Sequence, residues 1–290
     1  MKKPTTLEEL KTLLANIPFA IFGGGFVGKR VWEICCEGMN YAPVGFCDNY
    51  LSNTDTILGL PVIKPREFVE NYPKGIILIC VASREATDEI VTQLDKLNFP
   101  TENIIKFNEM FKLFNADELK WVNSREHEFD WRKNNGVIEY MATWIEKTDT
   151  SVADLGCGKE MHLKKLLPAG CRYIPVDYFS RSDDTVVCDF NGETLPDLKA
   201  DVVFASGVLQ MVEDPFRFLD WMCDVANKKI IIRHSARHRQ AEMEINAIKF
   251  TGSLSMMSVP EIEKTVTERG FKLLNKEIAT TGNPLLCFER

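Results

Sequence analysis

The chain has 290 residues, 45% of them hydrophobic and 27% charged, a balance that builds a buried core and excludes a disordered polypeptide. Its 35 basic and 42 acidic side chains leave a net charge of −7, without the basic excess of a nucleic-acid binder. No apolar run approaches the roughly 18–20 residues that span a bilayer, and the start, Met1-Lys2-Lys3-Pro4, lacks the apolar stretch of a secretory signal. The expectation is a cytoplasmic protein of two domains. Nine cysteines, at 35, 36, 47, 80, 157, 171, 188, 223 and 287, make no Cys-x-x-Cys pair. Several lie inside apolar runs, so they read as small buried hydrophobes, and no metal site is expected.

The first half alternates strand-like and helix-like segments. Phe19–Phe22 is a short apolar run that stops at glycines, and Val27–Glu37 has helical spacing. Pro43–Cys47 reads as a second strand, followed by a turn-rich stretch, Leu60–Ile63, and a helix that Pro65 initiates. Gly75–Val81 is wholly apolar, as a strand buried on both faces should be. A helix over 84–97 and the run Ile104–Phe107 complete the unit. Residues 111–148 are polar, aromatic and helix-prone and read as a connector or lid, with His127 on it. In the second half the spacing predicts strands at Ser151–Leu155, Tyr173–Val176, Thr185–Cys188, Asp201–Ala205, Lys229–Arg233, Phe271–Asn275 and Leu285–Glu289. Such alternation argues for parallel sheets covered by helices.

Two glycine turns carry the chemistry. Gly23, Gly25 and Gly28 fit G-x-G-x-x-G between a strand and a helix, and Asp48 lies twenty residues beyond Gly28 at the end of the next strand. Glycines let a phosphate approach backbone N–H groups, and the carboxylate suits ribose hydroxyls. Over Ile21–Gly28, Val44–Asn49 and Gly59–Pro65 this unit resembles the small N-terminal Rossmann-like domains of bacterial sugar-modifying proteins. The resemblance implies a nucleotide, a nucleotide-sugar or NAD(P) as its ligand. No Tyr-x-x-x-Lys follows, so a complete short-chain dehydrogenase is not expected.

Val152-Ala153-Asp154-Leu155-Gly156-Cys157-Gly158 is the sharper signal. Asp177 ends the next strand, Asp189 the third, and Ser206 the fourth, which runs on to Gln210. Over roughly residues 135–290 this series resembles the class I S-adenosylmethionine-dependent methyltransferases. The resemblance implies S-adenosylmethionine as cofactor, with Gly156 and Gly158 against its methionine part and Asp154 orienting the turn. Asp177 would accept the ribose hydroxyls, Asp189 the adenine amino group with the Phe190 backbone beside it, and Ser206 to Gln210 would line the side near the sulfonium. Glu160 stands where the family often has a third glycine, and Gln210-Met211 where it often has Glu-His.

Methyl transfer needs an in-line acceptor and, for a hydroxyl, a base. Arg233-His234-Ser235 follows the fifth strand, so His234 is the candidate base, with Arg233 as an anion anchor and His238 four residues on. Residues 250–257 read as a loop that shapes the acceptor pocket. The expected architecture is therefore α/β: two Rossmann-like domains in tandem, the second a seven-stranded methyltransferase-type sheet. The expected boundaries are 1–110, a connector at 111–148, and 149–290. The expected function is methyl transfer to a small-molecule acceptor, such as a nucleotide-linked sugar; a homo-oligomer is compatible with the sequence. The rival readings are a non-catalytic nucleotide-sensing scaffold and an NAD-dependent oxidoreductase working through the N-terminal domain.

Overall fold

The computed structural model describes the chain apart from residues 1, 38–39, 116–118, 120–135, 236–241, 251 and 280–281, and describes only the main chain at 35–37 and 242–245. His127 and His238 lie outside the described residues, as does half of the expected connector. The fold is mixed α/β with two sheets, and the chain divides into two compact units. The first comprises Met1–Ser124 together with Gln240–Gly252; the second comprises Arg125–Arg239 and Ser253–Arg290.

In the first unit, α1 (Leu7–Asn16) is capped by the Thr6 side chain, which accepts from the Glu9 N–H. The strands are β1 (Phe19–Phe22), β2 (Gly45–Cys47), β3 (Thr56–Ile57), β4 (Leu60–Ile63), β5 (Ile76–Ile79) and β6 (Ile104–Lys106), in the order β3-β4-β2-β1-β5-β6. All neighbours are parallel except β3, which runs against β4. Between them come α2 (Phe26–Val31), which continues as a π-helical turn over Trp32–Glu37, then α3 (Pro65–Asn71), α4 (Arg84–Lys96) and α5 (Phe107–Phe111). The two faces of β1 serve two cores. Phe19 and Ile21 pack with Leu10, Leu14 and Phe107, while Ala20 and Phe22 pack with Phe68, Leu94 and Phe99. That is why β1 and β5 are apolar throughout rather than alternating. The first core is completed from far along the sequence. A helix over Glu242–Phe250 sends Phe250 edge-on against Phe107 and Phe114, with ring centroids 5.3 and 5.4 Å apart.

In the second unit the strands are β7 (Ser151–Leu155), β8 (Arg172–Asp177), β9 (Val186–Val187), β10 (Ala200–Ser206), β11 (Ala226–Arg233), β12 (Lys272–Ile278) and β13 (Pro284–Glu289). Their order is β12-β13-β11-β10-β7-β8-β9, parallel from β11 to β9, with β13 antiparallel to both its neighbours. Ala153, Val203 and Ile230 face α7 (Pro215–Val225) and α9 (Val259–Glu268); Val152, Phe204 and Ile231 face α6 (Val137–Ala142), α8 being the Glu242–Phe250 helix. Asp214 caps α7 ahead of Pro215, and Ser258 with Glu261 forms a capping box at α9. The chain leaves β7 toward β8 on one side and later returns to β10 on the other, so the strand order reverses between β7 and β10. In open α/β sheets a crevice opens at the carboxyl ends of such a pair. At the opposite end, Lys229 is only 2% exposed, and its Nζ lies 3.2 Å from Asp149 Oδ2 and from Glu146 Oε2.

Local expectations differ from the structure at several points. The helix expected after Gly158 is a short 3-10 turn, His162–Leu166, entered through Met161 at φ +43 and closed by Pro168. The stretch before Leu60 contains β3, whose two residues are too few to show a period.

Candidate functional site

In the second unit, Asp154 ends a buried strand and is itself fully buried; its Oδ2 accepts from the Tyr173 hydroxyl of β8 at 2.7 Å. This bond fixes the base of the turn that follows. Gly156 then takes φ +66, a left-handed conformation, and a Cβ there would stand 2.4 Å from Val208 Cγ2. Glycine is therefore required at 156 by the protein's own packing. The N–H groups of Gly156 and Cys157 both donate to Val176 O, at 2.7 and 3.2 Å, which ties the turn to β8.

Asp177 closes β8 beneath the same turn. It is 6% exposed, and its Oδ2 accepts from the Gly158 N–H at 2.9 Å and from the Cys157 thiol at 3.9 Å. Its Oδ1 accepts from the Phe179 N–H at 3.0 Å and from Arg181 Nε at 3.1 Å. Asp189 is exposed beyond β9, with its Oδ1 accepting from the Asn191 N–H at 2.9 Å. The Phe190 ring turns inward against Phe218 and Trp221, at 4.9 and 6.0 Å between centroids. Asn191 then bridges two loops: its Nδ2 donates to Met211 O at 3.1 Å and its Oδ1 accepts from the Glu213 N–H at 2.8 Å.

Ser206 ends β10, and Gln210 sits in the 3-10 turn Leu209–Met211. The Gln210 carbonyl accepts from the Leu254 and Ser255 N–H groups, at 2.7 and 3.1 Å, so the segment after Gly252 is fastened over this turn. His234 follows β11 with no exposed surface, and its Nε2 lies 3.1 Å from Met257 O. A carbonyl only accepts, so Nε2 carries the proton and Nδ1 the lone pair. Burial pushes the His234 pKa down to about 4, against the smaller opposing effect of the Met257 bond, so the ring is neutral at neutral pH. Ser206 Oγ, Gln210 Oε1 and His234 Nδ1 are all buried with no hydrogen-bond partner among the described residues. Buried polar atoms of this kind call for a partner. Together with the Asp177 carboxylate they suit a ligand that brings hydroxyl and ammonium donors, which fits S-adenosylmethionine.

The first unit places Gly23, Gly25, Gly28 and Asp48 at one sheet edge. A Cβ at Gly28 would fall 1.9 Å from Gly23 O, so the turn closes tightly on itself. Asp48 Oδ2 lies 3.7 Å from where a Cβ of Gly24 would be, while Oδ1 accepts from the Tyr50 and Leu51 N–H groups. Among the described residues, apart from its chain neighbours, nothing stands within 4 Å of a Cβ placed at Gly25.

Sequence reasoning missed Tyr173, Arg181 and Asn191. Arg181 and Asn191 sit four and two residues after the acids they contact; Tyr173 meets Asp154 through strand pairing alone. Among the described cysteines, Cys47, Cys80, Cys157, Cys188, Cys223 and Cys287 are buried as expected and Cys171 is half-buried; burial pushes Cys188 up to about 11 and Cys47, Cys223 and Cys287 up to about 12.

Comparison with known proteins adds a family. The model of the methyltransferase domain matches residues 124–276, more than half of the chain. No curated protein matches the sequence. Among solved structures, magnesium protoporphyrin IX methyltransferase from Synechocystis PCC 6803 with bound SAH is similar at 16% identity and a TM-score of 0.45, over 57% of this chain and 91% of that one. A SAM-dependent methyltransferase from Aquifex aeolicus is similar at 14% identity and a TM-score of 0.39, over 61% of this chain and 98% of that one. A putative O-methyltransferase from Nostoc punctiforme is similar at 11% identity and a TM-score of 0.45, over 59% and 60% respectively.

Proposed function

The chain belongs to the methyltransferase domain family and is an S-adenosylmethionine-dependent methyltransferase, and we propose that its second unit holds this cofactor along the carboxyl ends of β7, β8 and β10 and delivers the methyl group to a small-molecule acceptor. When bound, S-adenosylmethionine supplies an electrophilic methyl group on its sulfonium. The protein's part is to bind, align and exclude water. Asp177 takes the ribose hydroxyls and Asp189 the adenine amino group, with the Phe190 backbone beside the ring. Gly156 and Gly158, on the turn that Asp154 anchors, receive the methionine part, and Ser206 and Gln210 meet it from the other side. His234 takes the proton from an acceptor hydroxyl at Nδ1. Because His234 has no exposed surface, this role requires the covering chain to open.

One observation carries the reading. The Gly158 N–H donates to Asp177 Oδ2 at 2.9 Å, which sets the acid of the second strand directly against the glycine turn of the first. Such an arrangement reads hydroxyl donors rather than a pyrophosphate. For the first unit we propose a nucleotide, a nucleotide-sugar or NAD(P) as ligand, at Gly23, Gly25, Gly28 and Asp48. The motivation is the Asp48 carboxylate beside the glycine turn. A nucleotide-linked sugar is the acceptor class we propose.

Isothermal titration of the purified protein with S-adenosylhomocysteine tests the cofactor reading. Binding that weakens at least tenfold in Asp177→Ala is the expected result. No binding at millimolar ligand rejects the reading, and an unchanged affinity in Asp177→Ala rejects the placement of the ribose.

A further inference from the structure

A carboxylate offers about four lone-pair positions. Asp177 commits its own to the Gly158 N–H, the Cys157 thiol, the Phe179 N–H and Arg181 Nε. Two of these donors are main-chain groups locked into the turn and the strand end, and the thiol contact is long and weak. Arg181 is the strong contact that can leave. Its guanidinium lies 3.1 Å from Oδ1 by Nε and 4.9 Å from the centre of the Phe179 ring, and its side chain is only 11% exposed. It therefore covers the carboxylate.

We propose that Arg181 is a positioning residue for the methyl-transfer site, an internal competitor that occupies Asp177 Oδ1 and must swing away when the ribose hydroxyls arrive. The inference rests on the reading of Asp177 as the ribose acceptor. Local structure makes the swing a side-chain event. Thr185 Oγ1 accepts from the Arg181 and Ser182 N–H groups, at 3.1 and 2.8 Å, and the Thr185 N–H donates to Ser182 O at 3.0 Å. The main chain at 181 is thus pinned, while the guanidinium pairs with Asp177 Oδ1 and lies over the Phe179 ring. A landing place exists on the same turn, where Asp183 and Asp184 are both exposed. Their carboxylates compensate the charge of the released guanidinium. Ligand binding then trades one ion pair for two hydroxyl hydrogen bonds, and Arg181 sets the affinity for cofactor and product alike. A strong grip on either would slow exchange, and the competitor loosens both.

The test uses the full-length protein, S-adenosylhomocysteine, and its 2′,3′-dideoxy analogue, which cannot displace Arg181 through hydroxyls. Both ligands carry the same charge, so a general change of field affects them equally. In Arg181→Met the dissociation constant for S-adenosylhomocysteine is expected to fall about five- to tenfold, as for removal of one close charge competitor, while that for the dideoxy analogue stays within about twofold. Arg181→Lys, which keeps the charge, should return the affinity toward that of the unaltered protein. Thermal unfolding of each variant identifies any loss of folding, and Arg181→Gln, which also removes the charge, carries the test if Arg181→Met melts early: it must tighten S-adenosylhomocysteine and leave the dideoxy analogue within about twofold. Equal or weaker binding of S-adenosylhomocysteine by Arg181→Met, or parallel changes for both ligands, overturns the proposal. Asp177→Asn in the same series separates the two levels of argument. If it leaves binding untouched, the ribose reading fails and this inference falls with it; if it weakens binding while Arg181→Met fails to tighten it, the competitor alone is rejected.

Discussion

Replacing Gly156 by alanine challenges the turn at the centre of the site in two separable ways. The residue sits at φ +66, where an L side chain costs about 1–2 kcal/mol. The new methyl would also stand 2.4 Å from Val208 Cγ2, where ordinary contact begins near 3.4 Å, so something must yield by about 1 Å. Val208 is itself buried in the core beside Leu209 and Val212, and forcing a methyl into a packed site costs about 1–3 kcal/mol. The total expected loss is about 2–5 kcal/mol, measured as the shift in a urea unfolding curve followed by tryptophan fluorescence. A cycle with Val208→Ala divides the two parts. In that background the collision is gone, and Gly156→Ala should cost only the backbone share, about 1–2 kcal/mol. A single-variant loss below about 0.5 kcal/mol would refute the argument outright, being within the range of an unremarkable surface change. An equal loss in both backgrounds would leave the backbone part standing and dismiss the role given to Val208.

The buried ion pair at the foot of β11 gives another expectation. Lys229→Met removes the nearer of the two cations on the buried Asp149 carboxylate, leaving Lys228 Nζ at 3.8 Å and the Glu146 N–H, and should cost about 1.5–3 kcal/mol in the same unfolding assay. Lys229→Met with Asp149→Asn should recover much of this, and a double variant as unstable as the single one would show that the charge is not what matters. His234 offers a pH signature. Its folded pKa, about 4, lies below its ordinary value of 6.5, so the native state binds fewer protons than the unfolded chain between them. Stability from this group is complete above about 6.5 and declines by roughly 3 kcal/mol as the pH falls to 4. His234→Asn should flatten that part of the stability–pH profile, and a profile of unchanged slope would contradict the burial argument.

The sequence shows its strands well because they are buried on both faces. Phe19–Phe22 and Ile76–Ile79 announce themselves as short apolar runs, Ser151–Leu155 does so by the acid before its glycine turn, and the acids near the strand ends of the second unit mark a common sheet edge. What it hides is contact between residues that no local pattern links. Tyr173 meets Asp154 only because β7 and β8 pair in register, with Asp154 opposite Pro175. Gly156 reads as room for a ligand, yet its missing side chain also makes room for Val208, fifty-two residues away. Arg181 looks like an ordinary turn residue until its guanidinium is found on Asp177. Phe250 reads as the start of a loop, whereas it ends a helix and, with Ala247, fills a core whose other members come from the first 119 residues.

That last placement bears on how the molecule is made. When residues 1–124 have been made, the rings at Phe107, Phe111 and Phe114 still lack the Phe250 they meet in the folded protein. More than a hundred further residues must be synthesised before Phe250 arrives to cover them. Until then the nascent protein carries a sticky aromatic face, the kind of transient exposure that attracts chaperones or drives aggregation. A fragment cut at residue 124 keeps that exposure permanently. The early-made part thus depends on late-made sequence, and the two units, though each is compact, are one product of synthesis rather than two beads that mature in turn.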